Sequence, residues 1–484
     1  MTQTLAPPAV SRRPSATLTF ALLATSAGAF AMLQSLISPV LPTVQHALHT
    51  SQSGVAWVLL AWLLCASVAT PILGRVGDMI GKKKTLLVIL GALAAGSLIS
   101  ALAPNLAWMI VGRLLQGLGG AIYPISYGII RDEFDRDRVP SAIGAMSSVI
   151  GAGGGVALVL AGPITDGLGW RWLFWIPLII LTAVGVLTAF FVPESKVRTG
   201  GRIDWFASLL LAVWLLALLL PVSEGQEWGW GSPATIALFA VAVVAFIGWV
   251  VVESRSANPV VDMRMMRQTA VWATNLVALL VGASVFSAFT FLPQFIETPR
   301  KVGYGFGSSV TMTGVIMLPI LVTMAVGGMI SGPLRKAVDF KTQLVLSCAL
   351  LGAGSLSFAF WNHAAWEISI GCGIFGLGVG VAYSAMISVI IGTVNPTQTG
   401  AATGMNTNLR NIGGAIGTAV VTAVITSTTG VGGLPTHSGY RTGWLLLVVI
   451  AAIAVTAALL IPSPPAAHGS AEHADSARQP AHSK

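Results

Sequence analysis

Charge is what this chain has least of: Asp, Glu, Lys and Arg make up 9% of 484 residues, against roughly 25% in an ordinary soluble domain. That scarcity excludes a soluble globular fold, and 55% hydrophobic residues point to an integral membrane protein. Cysteine is almost missing too. Cys65, Cys348 and Cys372 each fall inside an apolar run with no C-x-x-C spacing, so neither a disulfide framework nor a metal site is expected. The seven histidines all stand in loops or in the tail, and no apolar run carries a His/acid pair, which speaks against a membrane-embedded enzyme; no cofactor is expected. No G-x4-G-K-[ST] sequence is present to bind a nucleotide. Alternating ten-residue strands of the barrel type are also absent. A formal charge of +9 could suit nucleic acid, yet membrane proteins gather Lys and Arg on the cytoplasmic side for topological reasons, so no nucleic-acid partner is expected.

What is present is apolar length. Fourteen runs, from 17–41 to 442–461, offer the roughly 20 residues a helix needs to cross a hydrocarbon core about 30 Å thick. The reading is an all-α polytopic membrane protein held in a lipid bilayer. The first run follows Arg12 and Arg13 and lacks an A-x-A cleavage site in position, so it is expected to remain as a helix. An even number of spans returns both termini to one side. With both termini cytoplasmic, 20 of the 26 Lys and Arg residues lie inside, 4 lie outside, and Arg113 and Arg410 lie within spans. That bias sets the orientation, at the plasma (inner) membrane. Residues 1–16 form a cytoplasmic N-terminal tail, and 462–484, rich in Pro, Ala, His and Ser, a disordered cytoplasmic tail.

Between the second and third runs, Gly74 to Lys84 reads G-R-V-G-D-M-I-G-K-K-K. Gly74, Gly77 and Gly81 let backbones approach at a helix end, while Lys82, Lys83 and Lys84 hold the loop inside. Asp78 sits at the negative end of its own helix dipole, so its carboxylate should seek the positive N-terminus of another helix. A conformational latch is the expected role. The pattern resembles the signature loop of the major facilitator superfamily, G-x-x-x-D-x-x-G-[RK]-[RK]. Two further matches follow in order. Arg113-Leu114-Leu115-Gln116-Gly117 fits the family's R-x-x-Q-G, and Gly153, eight residues, Gly162-Pro163, three residues and Gly167 resemble the antiporter motif G-x8-G-P-x3-G-G, with Leu168 in place of the last glycine. With fourteen spans, the chain resembles the fourteen-helix drug:proton antiporter branch.

That resemblance implies a major facilitator fold: an N-terminal six-helix bundle over 17–192, a linker with two extra transmembrane helices over 193–267, and a C-terminal bundle over 268–461. It also implies a monomer that exports a small amphipathic substrate in exchange for protons by alternating access. The helix beginning near Thr399 and Gly400 would receive Asp78, and Arg113 with Gln116 would take part in proton coupling. Gly328, Gly332, Arg335, Lys336, Asp339 and Lys341 form a degraded echo of the opening loop, as repeated halves would.

A guanidinium near mid-membrane costs about 2.5–3.5 kcal/mol on insertion scales, so Arg113 must face a cavity, a carboxylate or helix carbonyls. Arg410 is the matching cation of the second half; it either faces the cavity or snorkels to the cytoplasm. Gln34, Trp62, Phe289, Tyr383 and Arg410 are the candidates for the substrate cavity. Many relatives carry an acid in the first helix, in an L-D-x-T-x-x-N-x-A-L-P-like segment. Here Met32 to Ser38, ahead of Leu41-Pro42, has none, and none of the 17 acids falls at the centre of a run. A proton carrier would therefore be peripheral: Asp132, Asp166 or Glu297. A cavity with cations and no acid should favour neutral or anionic substrates. Export or uptake of one specific metabolite on the same fold, or a non-transporting receptor or scaffold, remain open alternatives.

Overall fold

The computed structural model describes residues 16–462 apart from 196, 199, 201, 257 and 429–433; the two tails expected from sequence, save their innermost residues, lie outside the described residues. Among the described residues, fourteen helices are long and apolar enough to cross a membrane. They are α1 (Ala16–Ser35), α2 (Gln52–Ile80), α3 (Lys82–Leu102), α4 (Leu106–Glu133), α5 (Val139–Leu168), α6 (Trp172–Phe191), α7 (Trp205–Trp228), α8 (Pro233–Arg255), α9 (Thr269–Glu297), α10 (Val310–Leu334), α11 (Phe340–Phe360), α12 (Ala365–Thr393), α13 (Thr399–Thr426) and α14 (His437–Leu459). Side-chain caps open several of them. Asn105 Oδ1 accepts from Trp108 N at the start of α4, and Asp204 Oδ1 accepts from Phe206 N and Ala207 N at the start of α7, meeting donors that a helix start leaves unpaired. Within α4, Gly117 and the glycines after it tighten the helix to a 3-10 turn over Leu118–Ala121.

The core divides along the chain. Leu33, Leu90, Met109, Ile129 and Phe174 belong to one buried cluster drawn mainly from α1 to α6. Val281, Phe295, Leu344, Phe375 and Trp444 belong to a second, drawn from α9 to α14. The two remaining helices join a third cluster, in which Leu211, Trp214 and Leu215 of α7 pack with Leu64 of α2 and with Met405 and Ile412 of α13. α7 thus lies over the seam where α2 meets α13. α8 sits outside it, held by Trp214 against Phe246 and Trp249 at ring separations of 5.2 and 5.8 Å, and leaves Val243, Val244 and Ile247 exposed as a lipid-facing side.

α7 runs on through Pro221 to Trp228, so Glu224 and Glu227 lie in its last turns. The linker between α8 and α9 starts after Arg255 and contains one helical turn, Met263–Met266. Glu253 is buried because it closes this linker: its carboxylate accepts from Trp249 Nε1 at 3.2 Å and from Val260 N at 3.0 Å.

The end carrying Lys82 to Lys84, termed the basic end, is closed. There a Cβ on Gly74 would stand 2.6 Å from Gly400 O, and one on Gly332 would stand 2.6 Å from Ser141 Cα. Gly144 and Gly328 meet backbone to backbone, and Ser148 Oγ donates to Ala325 O at 2.5 Å. Toward the other end α5 and α10 part company. Gly162, Gly167 and Gly314 have nothing within 4 Å of a Cβ position, and Leu160, Val315 and Leu318 are exposed.

Candidate functional site

The junction expected to act as a latch is built from three helix ends. Asp78 is completely buried near the C-terminus of α2, and its Oδ2 accepts from Ala401 N, in the first turn of α13, at 3.1 Å. A carboxylate at that position meets exposed amides and the positive end of the α13 dipole. Its Oδ1 lies 3.6 Å from Lys82 Nζ. Lys82 reaches further, to Asp132 Oδ2 of α4 at 2.8 Å, and Asp132 also takes the hydroxyl of Ser195. Gly81 breaks the chain between α2 and α3 at φ 121°, where an L side chain is strained and would collide with the Glu194 carboxylate. That carboxylate accepts from Lys83 N at 3.2 Å and so caps α3. Gly77 allows Ile125 of α4 to close over α2.

Sequence reasoning missed Arg131. Its guanidinium donates to Thr399 Oγ1 at 2.6 Å and to Val394 O at 2.8 Å, a second tie from α4 to the segment that leads into α13. The only local signal was a cation at the basic end of a span. Glu194 and Ser195 were missed as well, because their partners lie more than sixty residues away. In the degraded echo, Gly328 and Gly332 meet α5 much as Gly74 meets α13. Asp339 instead accepts from Thr342 on its own helix, so no matching acid latch forms there.

Arg113 is fully buried and is held by the protein itself. Nε donates to Val58 O at 2.8 Å, and Nη1 to Leu33 O at 3.3 Å and Gln116 Oε1 at 2.8 Å; Gln116 in turn donates to Ser97. Among the described residues no carboxylate is paired with it. The guanidinium lies 5.7 Å from the Trp62 ring. Trp62 packs on Phe30 at 5.6 Å and Phe30 on Tyr123 at 5.5 Å.

Arg410 lies in the third turn of α13, about 16 Å along its axis at 1.5 Å per residue, and its guanidinium sits 4.2 Å over the Tyr383 ring of α12. Tyr123 and Tyr127, both buried, stand on the half of α4 that packs against α13. The structure thus brings Arg410 and Tyr383 together and links Trp62 to Arg113. Gln34 and Phe289 are half-buried, with no hydrogen bond or ring contact to those four among the described residues. Asp166 stands exposed near the far end of α5, and Glu297 is half-buried at the far end of α9. Asp132 belongs to the latch. Of the antiporter motif, Gly153 packs on Gly28 of α1, whereas Gly162 and Gly167 face open space; Pro163 lies inside α5 between them. The described residues hold no cluster of three or more metal-ligating side chains.

Two opposed helical bundles, tied by buried charge at one end and parted at the other, define the class as a polytopic membrane protein of transporter type. The chain belongs to the Major Facilitator Superfamily, whose family model matches residues 23–418. It is 29% identical over 349 residues to Multidrug resistance protein 3 of Bacillus subtilis, covering 70% of this chain and 66% of that one, a little under two thirds of the relative's length. It is 28% identical over 378 residues to the Tetracenomycin C resistance and export protein of Streptomyces glaucescens, covering 77% and 68%. The Multidrug resistance protein Stp of Mycobacterium tuberculosis is 28% identical over 378 residues, covering 77% and 69%. Among solved structures, the human organic anion transporter MFSD10 (TETRAN) superposes with a TM-score of 0.61 at 18% identity, over 92% of this chain and all of that one, a likeness of fold.

Proposed function

We propose that this chain is a secondary active exporter of small amphipathic molecules that exchanges them for protons by alternating access. It acts as a monomer in the plasma (inner) membrane, with the basic end and both termini in the cytoplasm. The observation that carries the reading is the asymmetry of the seam: closed from Gly332 and Ser141 to Gly155 at the basic end, open from Leu160 and Gly162 at the other. Such an arrangement is one of the two states that alternating access requires, and the relatives named for drug resistance and export support the direction.

Gly74, Gly77, Asp78, Gly81, Lys82 and Lys83 act as the latch of the outward-open state. Arg113 and Gln116 hold α1, α2 and α4 together, so their part in coupling is to keep those helices in register. The proton is carried by Asp166 or Glu297 on the open side, or by Asp132, which releases it to the cytoplasm when the latch opens. In everted vesicles energised by respiration, adding a transported drug should raise lumenal pH as substrate enters and protons leave. Asp78→Asn and Arg113→Ala should both diminish that rise. A drug that accumulates with no change in lumenal pH would remove proton antiport, and no accumulation for any amphipathic drug would remove export.

A further inference from the structure

Arg113 and Arg410 are both buried arginines, but they differ in one respect. Arg113 is met by two backbone carbonyls and a glutamine. Arg410, 8% exposed, has no hydrogen bond and no paired carboxylate among the described residues, only the face of Tyr383. The acid that comes nearest along α13 is Asp78, which docks at Ala401, nine residues or about 13 Å further down the axis. A buried cation left in this way is incomplete, because the field of an aromatic face offsets only part of its lost hydration.

The groups around it are incomplete in the complementary sense. Tyr123 Oη, on the half of α4 that packs against α13, is sealed and unpaired. Asn408, two residues before Arg410 on α13, also keeps buried polar atoms without partners. One turn outward, the Phe286 ring lies over Gly414 and offers an apolar wall.

We propose that Arg410, Tyr383 and Tyr123 form a subsite for the anionic group of the transported molecule, a carboxylate or ionised phenol on an apolar body. The planar guanidinium fork matches a carboxylate with two parallel donors, Tyr123 supplies a third donor from the opposite bundle, and the phenyl face of Tyr383 holds the fork flat. Because Tyr123 belongs to α4 and Arg410 to α13, the bound anion bridges the two bundles. This rests on the transporter reading, which it narrows from amphipathic molecules in general to those with one negative charge.

The test uses the full chain in lipid nanodiscs and two labelled probes of one shape, 1-naphthoate and the neutral 1-naphthalenemethanol. Wild type should bind the carboxylate at least tenfold more tightly than the alcohol. Arg410→Gln should bring the two together, Tyr123→Phe should lower the preference severalfold, and Arg410→Lys should keep part of it. Unchanged elution of each variant on size exclusion shows that the fold survives. Equal binding of the two probes by wild type, or a preference that survives Arg410→Gln, overturns the proposal. So does a preference that vanishes when gluconate is replaced by chloride, since the site would then be one for a small inorganic anion. Binding is independent of transport: a wild type that prefers naphthoate in nanodiscs yet accumulates nothing in vesicles would defeat the exporter reading and leave the anion subsite standing.

Discussion

At the scale of single residues, the latch depends on one carboxylate and two absent side chains. A hydrogen bond from a backbone amide to a charged group contributes about 1.5–3 kcal/mol, and the bond from Ala401 N to Asp78 joins the two bundles directly. Asp78→Asn should therefore shift the balance toward a basic end that opens by roughly tenfold to a hundredfold. Spin labels on cysteines placed at Lys84 and Pro396, with the three native cysteines replaced, should show a longer and broader separation. Gly74→Ala should act in the same direction without touching charge. Its methyl would lie 2.6 Å from Gly400 O, backbone that cannot rotate away, and overpacking of this kind costs about 1–3 kcal/mol. The same label pair reads it, and an unchanged distance in both variants would mean that the basic end is held by Arg131 and the α5–α10 contacts alone. Asp78 was legible from sequence because a helix end is a local matter. Its partner amide was identified only through family resemblance, and Arg131 was not identified at all, since nothing local says which carbonyl a surface arginine will find.

At the scale of elements, α5 and α10 explain why only part of the antiporter motif is packed. Gly144 meets Gly328, Ser148 meets Ala325, Gly151 meets Met324 and Gly155 meets Leu321, an antiparallel stripe that advances three or four residues at a time along α5, as the face of a helix does. Two turns further on, that register sets Gly162 opposite Gly314, and neither has a neighbour. These two glycines should meet when the far end closes. Cysteines at Gly162 and Gly314 should form a disulfide slowly in wild type and faster in the Asp78→Asn background, as followed by a mobility shift on non-reducing gels. Equal rates in the two backgrounds would separate the latch from the far gate. The sequence motif marked α5 as glycine-rich, but it could not say which half is packed, because that depends on the state of the whole molecule.

At the scale of the whole molecule, the inserted pair gives the two seams different surroundings. α7 covers the α2–α13 seam through Leu211, Trp214 and Leu215, while the far half of the α5–α10 seam stays uncovered. Opening is therefore expected to be freer on the α5–α10 side. Orientation makes a prediction at this scale as well. A cysteine at Gly231, in the exposed turn between α7 and α8, should react with a membrane-impermeant maleimide on intact cells, and one at Lys336, exposed at the basic end, should not. The reverse labelling would invert the topology and with it the direction of transport.

The sequence by itself determined the number of spans, because about twenty apolar residues per crossing is imposed by the thickness of a bilayer. It also located the latch loop, where glycine, acid and lysines act over a few adjacent positions, and the want of an acid at mid-membrane. Only the tertiary structure decided that α7 lies across a seam, since a helix apolar on all sides carries no record of which neighbour it meets. It alone decided that Arg113 is held by two backbone carbonyls and Gln116 while Arg410, equally cationic in sequence, rests on Tyr383. Leu33 and Arg113, 80 positions apart, become neighbours through packing, and no local pattern encodes that meeting.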